Sequence, residues 1–163
     1  MKIITCIFVS CIFVSCANTQ KDSNTANFDA AEIIKVIDGD TISVKLQNKI
    51  ETLRLIGVDT PETVHPTKPV ECFGLEASEF SKTMLKPRTT VKLVRDVEAR
   101  DRYQRLLVYL FLADGKLFNQ LLLEQGFARV LDIAPNSAYA MRFASSEASA
   151  RDRRVGLWQA CER

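Results

Sequence analysis

The sequence predicts a single α+β domain, mainly β, in which a five-stranded barrel carries three α-helices. Two observations predict this fold class. Five short β-prone segments are separated by turn residues, and a stretch with helical spacing lies between the third and the fourth of them. Two further helical stretches follow the fifth segment. This order of elements is the plan of the OB-fold, a small and partly open barrel.

The first three strands are predicted to form a meander. The first strand covers residues 32–37 and ends at the turn Asp38-Gly39-Asp40. Residues 41–46 alternate apolar and polar side chains, as a half-buried strand does. The turn at 47–49 then leads into the third strand, at 50–58, which is rich in β-prone apolar residues.

The remaining elements alternate between helical and extended spacing. Apolar side chains recur every three or four residues over 74–85, which predicts the first helix there, ending before a proline. The fourth and fifth strands are predicted at 90–97 and 106–112, on either side of a polar turn. The second and third helices are predicted at 117–125 and 138–154.

A few small or polar residues are expected to shape the ends and breaks of these elements. Gly126 is expected to end the second helix and Gly156 the third, because glycine readily adopts the left-handed conformation found after helices. Asn136-Ser137 is expected to cap the start of the third helix. Gly57 is expected to mark a bulge or a close backbone approach in the third strand.

The N-terminal segment differs in composition from the predicted domain. Residues 1–15 have a short basic start and an apolar run, which is too short to span a bilayer but typical of a signal peptide. The sequence around Cys16 resembles a bacterial lipoprotein processing site, which predicts a lipid anchor facing the periplasm or the cell exterior. Secretion after simple cleavage is the alternative. Residues 16–29 are predicted to be a flexible tether, and 30–163 the folded domain.

If Cys16 carries the lipid, two cysteine thiols remain after the predicted signal peptide is removed. Cys6 and Cys11 would leave with that peptide, whereas Cys72 and Cys161 would stay. An even pair of cysteines in an exported protein predicts one disulfide, here tying the C-terminal end to the body of the domain. Two unpaired thiols are the alternative.

The overall composition is that of an ordinary globular protein. The net charge is +2, and 47% of the residues are hydrophobic, so bulk charge alone does not indicate a nucleic-acid-binding protein. His65 is the single histidine, which disfavours histidine acid–base chemistry and histidine-rich metal sites. Any anion-binding site must therefore come from local clustering of charges.

Residues 53–63 combine a buried strand with charged groups that suit phosphate chemistry. Arg54 interrupts the apolar strand, and burying a guanidinium without an acidic or phosphate partner is very unfavourable. Asp59, Thr60 and Glu62 follow the strand in a proline turn. The stretch therefore indicates half of a metal-assisted phosphate site. The alternative is an arginine paired to a nearby acid, followed by an ordinary turn.

This stretch is one of several runs that occur together in the chain. The runs, in order, are Ile37-Asp38-Gly39-Asp40-Thr41, Arg54-Leu55, Val58-Asp59-Thr60-Pro61-Glu62-Thr63, Gly74-Leu75-Glu76-Ala77-Ser78 and Asp101-Arg102-Tyr103-Gln104-Arg105. Their order and spacing closely resemble the staphylococcal nuclease family (thermonuclease, micrococcal nuclease). The resemblance extends over about residues 33–158.

The resemblance implies a calcium site and a carboxylate beside it. Asp40, Asp59 and the main-chain carbonyl of Thr60 would be calcium ligands, and Glu62 would act on the attacking water. The chemistry of the residues agrees with these roles, because Ca²⁺ binds carboxylates, carbonyls and water and needs no histidine. A glutamate near a metal-bound water can serve as a base or can orient that water.

The resemblance also implies phosphate and substrate contacts. Arg54 and Arg105 would hold the phosphate, because two guanidiniums can fork onto its oxygens and stabilise the extra charge of the transition state. Arg102 and Tyr103 would contact a terminal phosphate and sugar. For this second pair, a solvated arginine and a packing tyrosine are the alternative, and for Arg105 alone the alternative is a surface charge beside a turn.

One segment departs from the family pattern. After Arg129-Val130 the family carries tyrosines that stack on the base, whereas this chain has Leu131-Asp132-Ile133 and is one residue shorter. Base stacking is a common source of affinity for single strands, so this departure bears on affinity and base preference but not on the catalytic set.

Together these observations predict an exported, monomeric, Ca²⁺-dependent endonuclease. It would cut single-stranded or locally opened DNA and RNA with little sequence specificity, and the resemblance implies products with a 3′-phosphate. The alternative is a catalytically silent OB-fold module that binds nucleic acid, or an adhesion lipoprotein.

Overall fold

Seven strands and four helices make up the part of the chain that the computed structural model describes, residues 28–64, 67 and 69–161. In chain order they are β1 (Asp29–Asp38), β2 (Thr41–Leu46), β3 (Lys49–Leu55), β4 (Gly57–Asp59), α1 (Gly74–Met84), β5 (Thr90–Val94), β6 (Leu106–Phe111), α2 (Phe118–Glu124), β7 (Arg129–Leu131), α3 (Ala140–Asp152) and α4 (Leu157–Ala160).

Five of the strands close into a barrel in the order β1-β2-β3-β6-β5. The chain runs antiparallel at every junction except that between β3 and β6, which is parallel. The barrel closes fully through the pairing of β1 with β5. This arrangement, with α1 between the third and fourth barrel strands, confirms the predicted mainly β, α+β fold of the OB type.

The third predicted strand, 50–58, is in fact two strands. β3 ends at Leu55, and β4 leaves the barrel to pair with β7 in a separate two-stranded sheet. Gly57 makes the break possible. Its φ angle is +77°, and the ring of Phe143 lies 2.6 Å from the place where a Cβ would stand. The expected close backbone approach is therefore confirmed.

The start of the third helix was predicted wrongly. Asn136-Ser137 does not cap it, because α3 begins at Ala140 with no side-chain cap. The Asn136 side chain instead accepts a hydrogen bond from the main-chain N–H of Glu98 (2.7 Å) and donates one to its carbonyl (2.9 Å). The amide is thus used to hold two loops together rather than to satisfy a helix end.

The main hydrophobic core fills the barrel and continues beneath α2 and α3. Its largest fully buried side chains include Tyr109, Phe118 and Phe143. Asn119 is fully buried among them and bridges two elements, donating to the carbonyl of Ile56 (2.9 Å) and accepting from the N–H of Leu110 (2.9 Å). The end of β3 is thereby fixed against β6.

The predicted signal peptide, the lipidated Cys16 and most of the predicted tether lie outside the described residues. β1 begins at Asp29, one residue before the predicted start of the domain. None of the helices in the described ranges is both long enough and apolar enough to pass through a membrane.

Candidate active site

The structure gathers most of the predicted site residues into one cleft. It has a volume of about 520 Å³ and lies where β1 turns into β2, beside the segment that follows β4. The predicted residues that line it are Asp40, Arg54, Asp59, Thr60, Glu62, Tyr103 and Arg105. Arg102 does not line this cleft and lies in an adjoining one.

Asp40 and Thr60 are held in contact at the base of the cleft. The Asp40 Oδ2 atom accepts hydrogen bonds from the main-chain N–H of Thr60 (2.9 Å) and from its hydroxyl (3.1 Å). Gly39 permits this approach, because a Cβ there would lie 2.6 Å from the Thr60 hydroxyl oxygen. The tight turn between β1 and β2 therefore packs directly on the segment after β4, so that the two predicted ligand-bearing ends lie side by side.

Arg54 is held in the site by four polar contacts. Its Nη1 atom donates to the carbonyls of Leu55 (2.8 Å) and Val58 (2.7 Å). Its Nη2 atom lies 2.9 Å from Asp59 Oδ1 and 3.3 Å from Asp40 Oδ2. Only 12% of the side chain is exposed. The guanidinium is therefore paired with acids, and it also lines the cleft.

Glu62 lies at the rim of the same cleft in a turn of its own. Its Oε1 atom accepts a hydrogen bond from the main-chain N–H of Val64 (2.8 Å), which orients the carboxylate. Its main-chain N–H donates to Glu71 Oε2 (3.2 Å), and its carbonyl accepts from the N–H of Glu71 (3.0 Å).

Asp38 and Glu71 also line the cleft, although neither was predicted as a site residue. Asp38 accepts from the Thr63 hydroxyl (2.6 Å) and from the N–H of Gly39 (2.9 Å). Burial raises the pKa of Asp38, these two hydrogen bonds lower it, and a hydrogen bond with Glu62 raises it again. The Asp-Gly-Asp turn was a usable signal for Asp38, whereas no local pattern pointed to Glu71.

A tight turn presents Arg105 and Tyr103 to the cleft. Asp101 organises it, with Oδ1 accepting from the N–H groups of Tyr103 and Arg105 (both 2.9 Å) and Oδ2 from Arg105 Nε (2.7 Å). The Tyr103 ring lies 5.4 Å from the Arg105 guanidinium, and its hydroxyl accepts from Arg102 Nη2 (2.7 Å). The turn thus groups two cations and an aromatic ring.

The cleft carries more negative than positive charge among its described lining residues. Five carboxylates face two guanidiniums there: Asp38, Asp40, Asp59, Glu62 and Glu71 against Arg54 and Arg105. Burial raises the pKa of the Asp59 carboxyl, Arg54 lowers it, and Asp40, Glu71 and Glu62 raise it further. Solvent screens these interactions, because 57% of the Asp59 side chain is exposed.

Excess carboxylate charge of this kind is relieved by a cation, and oxygen donors suit a hard one. Asp40 and Asp59 offer carboxylate oxygens of the kind that such a cation takes. Within the described ranges, no three Asp, Glu, His or Cys side chains are grouped closely enough to form a metal site by themselves.

A second cleft of about 480 Å³ adjoins the first and shares Arg54, Tyr103 and Arg105 with it. Its wall is largely apolar and includes Leu131 and Ile133, which are 38% and 61% exposed. Leu131 and Ile133 thus form an aliphatic surface beside the arginines. They stand in the segment that departs from the family pattern described above.

A disulfide joins Cys72 to Cys161 in the structure, with their Cα atoms 6.0 Å apart. It connects the segment that precedes α1 to the residue that follows α4.

Comparison with known proteins agrees with this geometry. Residues 52–160 match the family model described as "Staphylococcal nuclease homologue". The chain is 41% identical to a thermonuclease of Staphylococcus hyicus over 83% of its length and 79% of the relative's. It is 37% identical to a thermonuclease of Staphylococcus intermedius (86% and 82%) and 34% identical to Endonuclease YncB of Bacillus subtilis strain 168 (87% and 67%). The resemblance predicted from the sequence is confirmed, and the chain belongs to the family of staphylococcal nuclease homologues.

Proposed function

We propose that the protein is an exported, Ca²⁺-dependent endonuclease that hydrolyses phosphodiester bonds of DNA and RNA with little sequence specificity. Its family and the names of its relatives support a nuclease. The observation that carries the proposal is the convergence of Arg54, Arg105 and Glu62 with Asp40 and Asp59 in one cleft.

Glu62 is the proposed base. Its carboxylate would take a proton from the water that attacks phosphorus, or would orient that water. The hydrogen bond from the Val64 N–H to Oε1 fixes the carboxylate before substrate arrives, and such pre-orientation lowers the entropic part of the barrier. The family resemblance implies that the 5′-oxygen is the leaving group and that the product carries a 3′-phosphate.

Arg54 and Arg105 are the proposed phosphate ligands. Hydrolysis adds negative charge to the phosphate oxygens, and fixed guanidiniums stabilise that charge better than mobile water does. Arg54 already lies within hydrogen-bonding reach of two carboxylates, so a bound phosphate would replace acidic partners that are present in the free protein. Asp101 holds Arg105 in the same way, through its Nε atom.

Asp40, Asp59 and the Thr60 carbonyl are the proposed ligands of Ca²⁺. A bound calcium ion would add positive charge beside the phosphate and hold water near it. The excess of carboxylates in the cleft supports a cation at this position.

Arg102 and Tyr103 are the proposed substrate contacts beyond the phosphate. The aliphatic wall made by Leu131 and Ile133 offers a base less stacking area than aromatic rings would, so we propose moderate substrate affinity and little base preference. The sequence alone supports export, a membrane anchor at Cys16 and a monomeric state, and these remain part of the proposal.

The decisive experiment is a cleavage assay on protein purified under oxidising conditions from cells that express the full chain. Single-stranded DNA and RNA would each be incubated with calcium or with a chelator. We expect cleavage only with calcium, and a fall in rate of about 100-fold or more in Glu62→Gln and in Arg54→Ala. Glu79→Gln is the matched control, because Glu79 is an exposed acid that pairs with Lys82 outside the cleft.

Binding of DNA without cleavage by the unmodified protein would favour the silent OB-fold module instead. Cleavage that continues in Glu62→Gln at the unmodified rate would exclude Glu62 as the base.

A further inference from the structure

The main chain at Glu62 is paired with Glu71 from the far end of the following loop. Two hydrogen bonds join these residues: Glu71 N–H to the Glu62 carbonyl (3.0 Å), and Glu62 N–H to the Glu71 carboxylate (3.2 Å). Glu71 is therefore the residue that closes the loop at the position of the proposed base.

The first residue of α1, Gly74, packs against the same segment of main chain around Glu62. A Cβ at Gly74 would lie 3.1 Å from the carbonyl oxygen of Pro61, 3.2 Å from that of Glu62 and 2.9 Å from the side chain of Thr63. The Gly74 N–H also donates to the carbonyl of Glu71 (3.0 Å). The segment before the loop thus packs directly against Gly74 at the start of α1.

The disulfide attaches the segment that carries Glu71 to the packed C-terminal part of the domain. Cys72 is its immediate neighbour in the chain, and Cys161 follows α4. Phe73 and Cys161 both pack against the small core cluster formed by Ala150, Leu157 and Trp158. Phe73 also stacks on Phe127 at 5.4 Å between ring centroids. The segment that presents Glu71 is therefore fixed both covalently and by packing.

We propose that Glu71 is a positioning residue for Glu62, and that the Cys72–Cys161 disulfide holds Glu71 where it can act. This inference rests on the proposed function, in which Glu62 acts on the attacking water. A base must lie within hydrogen-bonding reach of the proton it takes, and small displacements of reacting groups lower rates strongly. Glu71 acts through the Glu62 main chain, so its contribution is a hydrogen-bond acceptor rather than a contact with substrate.

The first test compares Glu71→Ala with Glu71→Gln, using Glu79→Ala as the exposed control. We expect Glu71→Ala to lower kcat about three- to tenfold, the size of one lost hydrogen bond, and to change KM for single-stranded DNA less than about twofold. Glu71→Gln keeps an accepting oxygen and should retain at least about half of kcat. Hydrogen exchange of the Glu62 amide, followed by NMR, should speed up in Glu71→Ala only.

The second test removes the disulfide with the double substitution Cys72→Ser and Cys161→Ser, alone and combined with Glu71→Ala. Rates would be measured well below each variant's unfolding temperature, so that unfolded protein does not lower the measured kcat. We expect the double variant to lower kcat. Adding Glu71→Ala should then lower it little further, because both changes act through the same placement of Glu62.

The inference is overturned if Glu71→Ala keeps full kcat, or if Glu71→Gln is as impaired as Glu71→Ala. It is also overturned if Glu71→Ala lowers kcat by the same factor in the cysteine double variant as in the unmodified protein. An active unmodified protein with any of these results would overturn the inference alone. An unmodified protein that cleaves nothing, or a fully active Glu62→Gln, would overturn the proposed function and this inference with it.

Discussion

Arg54 combines structural contacts with a proposed role in phosphate binding. Two of its hydrogen bonds go to main-chain carbonyls of the segment that leaves the barrel, and its other contacts are with Asp40 and Asp59. The carbonyl contacts fix the guanidinium, while under the proposed function the acid contacts would be exchanged for phosphate oxygens. The contacts with Asp40 and Asp59 also place the positive charge of Arg54 beside the carboxylate oxygens proposed to bind Ca²⁺.

Removal of Arg54 should therefore strengthen calcium binding while it abolishes cleavage. In Arg54→Ala, Asp40 and Asp59 lose a cation that competes with the metal, and we expect calcium to bind roughly three- to tenfold more tightly. Isothermal titration calorimetry without substrate would measure this, with Lys82→Ala as a control that removes an exposed charge. Weaker calcium binding in Arg54→Ala would show that the guanidinium supports the metal site rather than competing with it.

Local sequence predicted one stretch of the cleft, the family resemblance implied Asp40, Tyr103 and Arg105, and neither indicated Glu71. Arg54 stood out because an arginine in an apolar strand needs an anionic partner, and Asp59 and Glu62 follow it closely in the chain. Glu71 gave no such signal. Its place in the cleft depends on a loop closing back on Glu62, and closure of that kind is decided by packing at Gly74 and by the distant Cys161.

At the scale of elements, an ion pair connects the turn before β6 to the barrel. Arg100 donates to both carboxylate oxygens of Glu51 on β3 (3.1 and 3.0 Å) and to the carbonyl of Gln104 (2.6 Å). Gln104 belongs to the turn that presents Tyr103 and Arg105. The pair therefore helps to fix the position of the proposed phosphate ligand relative to β3.

This ion pair predicts a pH-dependent contribution to stability. The hydrogen bond and charge of Arg100 lower the pKa of Glu51 below its ordinary value of 4.5. A lowered pKa means stability that is fully present above the unfolded value and lost as the pH falls through the folded value. Glu51→Gln should thus lower the unfolding midpoint by about 1–4 °C at pH 7.

Thermal unfolding of both proteins between pH 3 and 7 would check this expectation. The difference between them should shrink as the pH falls below about 4.5, where the carboxylate of the unfolded chain becomes protonated. A difference that stays constant over this range would assign the effect of Glu51→Gln to packing.

The elements that the sequence missed are the shortest ones. β7 has three residues and α4 has four, so neither spans two full periods of its own pattern, and the pattern has no room to repeat. The predicted strand at 90–97 ends early, at Val94, and Asp96 beyond it accepts from the Tyr109 hydroxyl (2.8 Å). Tertiary contacts set these boundaries, whereas the long alternating strands and α1 were visible from periodicity alone.

At the scale of the whole molecule, a metal bound in the cleft should stabilise the fold. Its proposed ligands lie in the turn between β1 and β2 and at the end of β4, so bound calcium would link two parts of the chain that separate on unfolding. A ligand present at 100 times its dissociation constant stabilises the native state by about 2.7 kcal/mol. We expect calcium to raise the unfolding midpoint by roughly 5 °C or more relative to a chelator.

Asp40→Asn should abolish most of this calcium-dependent rise, because it removes a charged ligand while keeping the shape of the side chain. Differential scanning calorimetry with and without calcium would measure it, and Asp114→Asn, which alters an exposed acid outside the cleft, is the control. Equal rises in Asp40→Asn and the unmodified protein would place the stabilising calcium elsewhere.

The disulfide also changes the connectivity of the molecule. It closes residues 72–161 into a covalent ring with 89 residues of sequence separation. The chain from β1 to the residue before Cys72 is not part of this covalent ring, and we call it the N-terminal arm, although its strands pack in the same fold. One break in the main chain of the ring leaves all pieces attached through sulfur, but one break in the arm between β1 and Cys72 separates the chain into two. The N-terminal arm carries Asp40, Arg54, Asp59 and Glu62, whereas the ring carries Arg105. Cleavage of a peptide bond after Glu62 and before Cys72 would therefore divide the cleft between two chains that are held together only by noncovalent contacts.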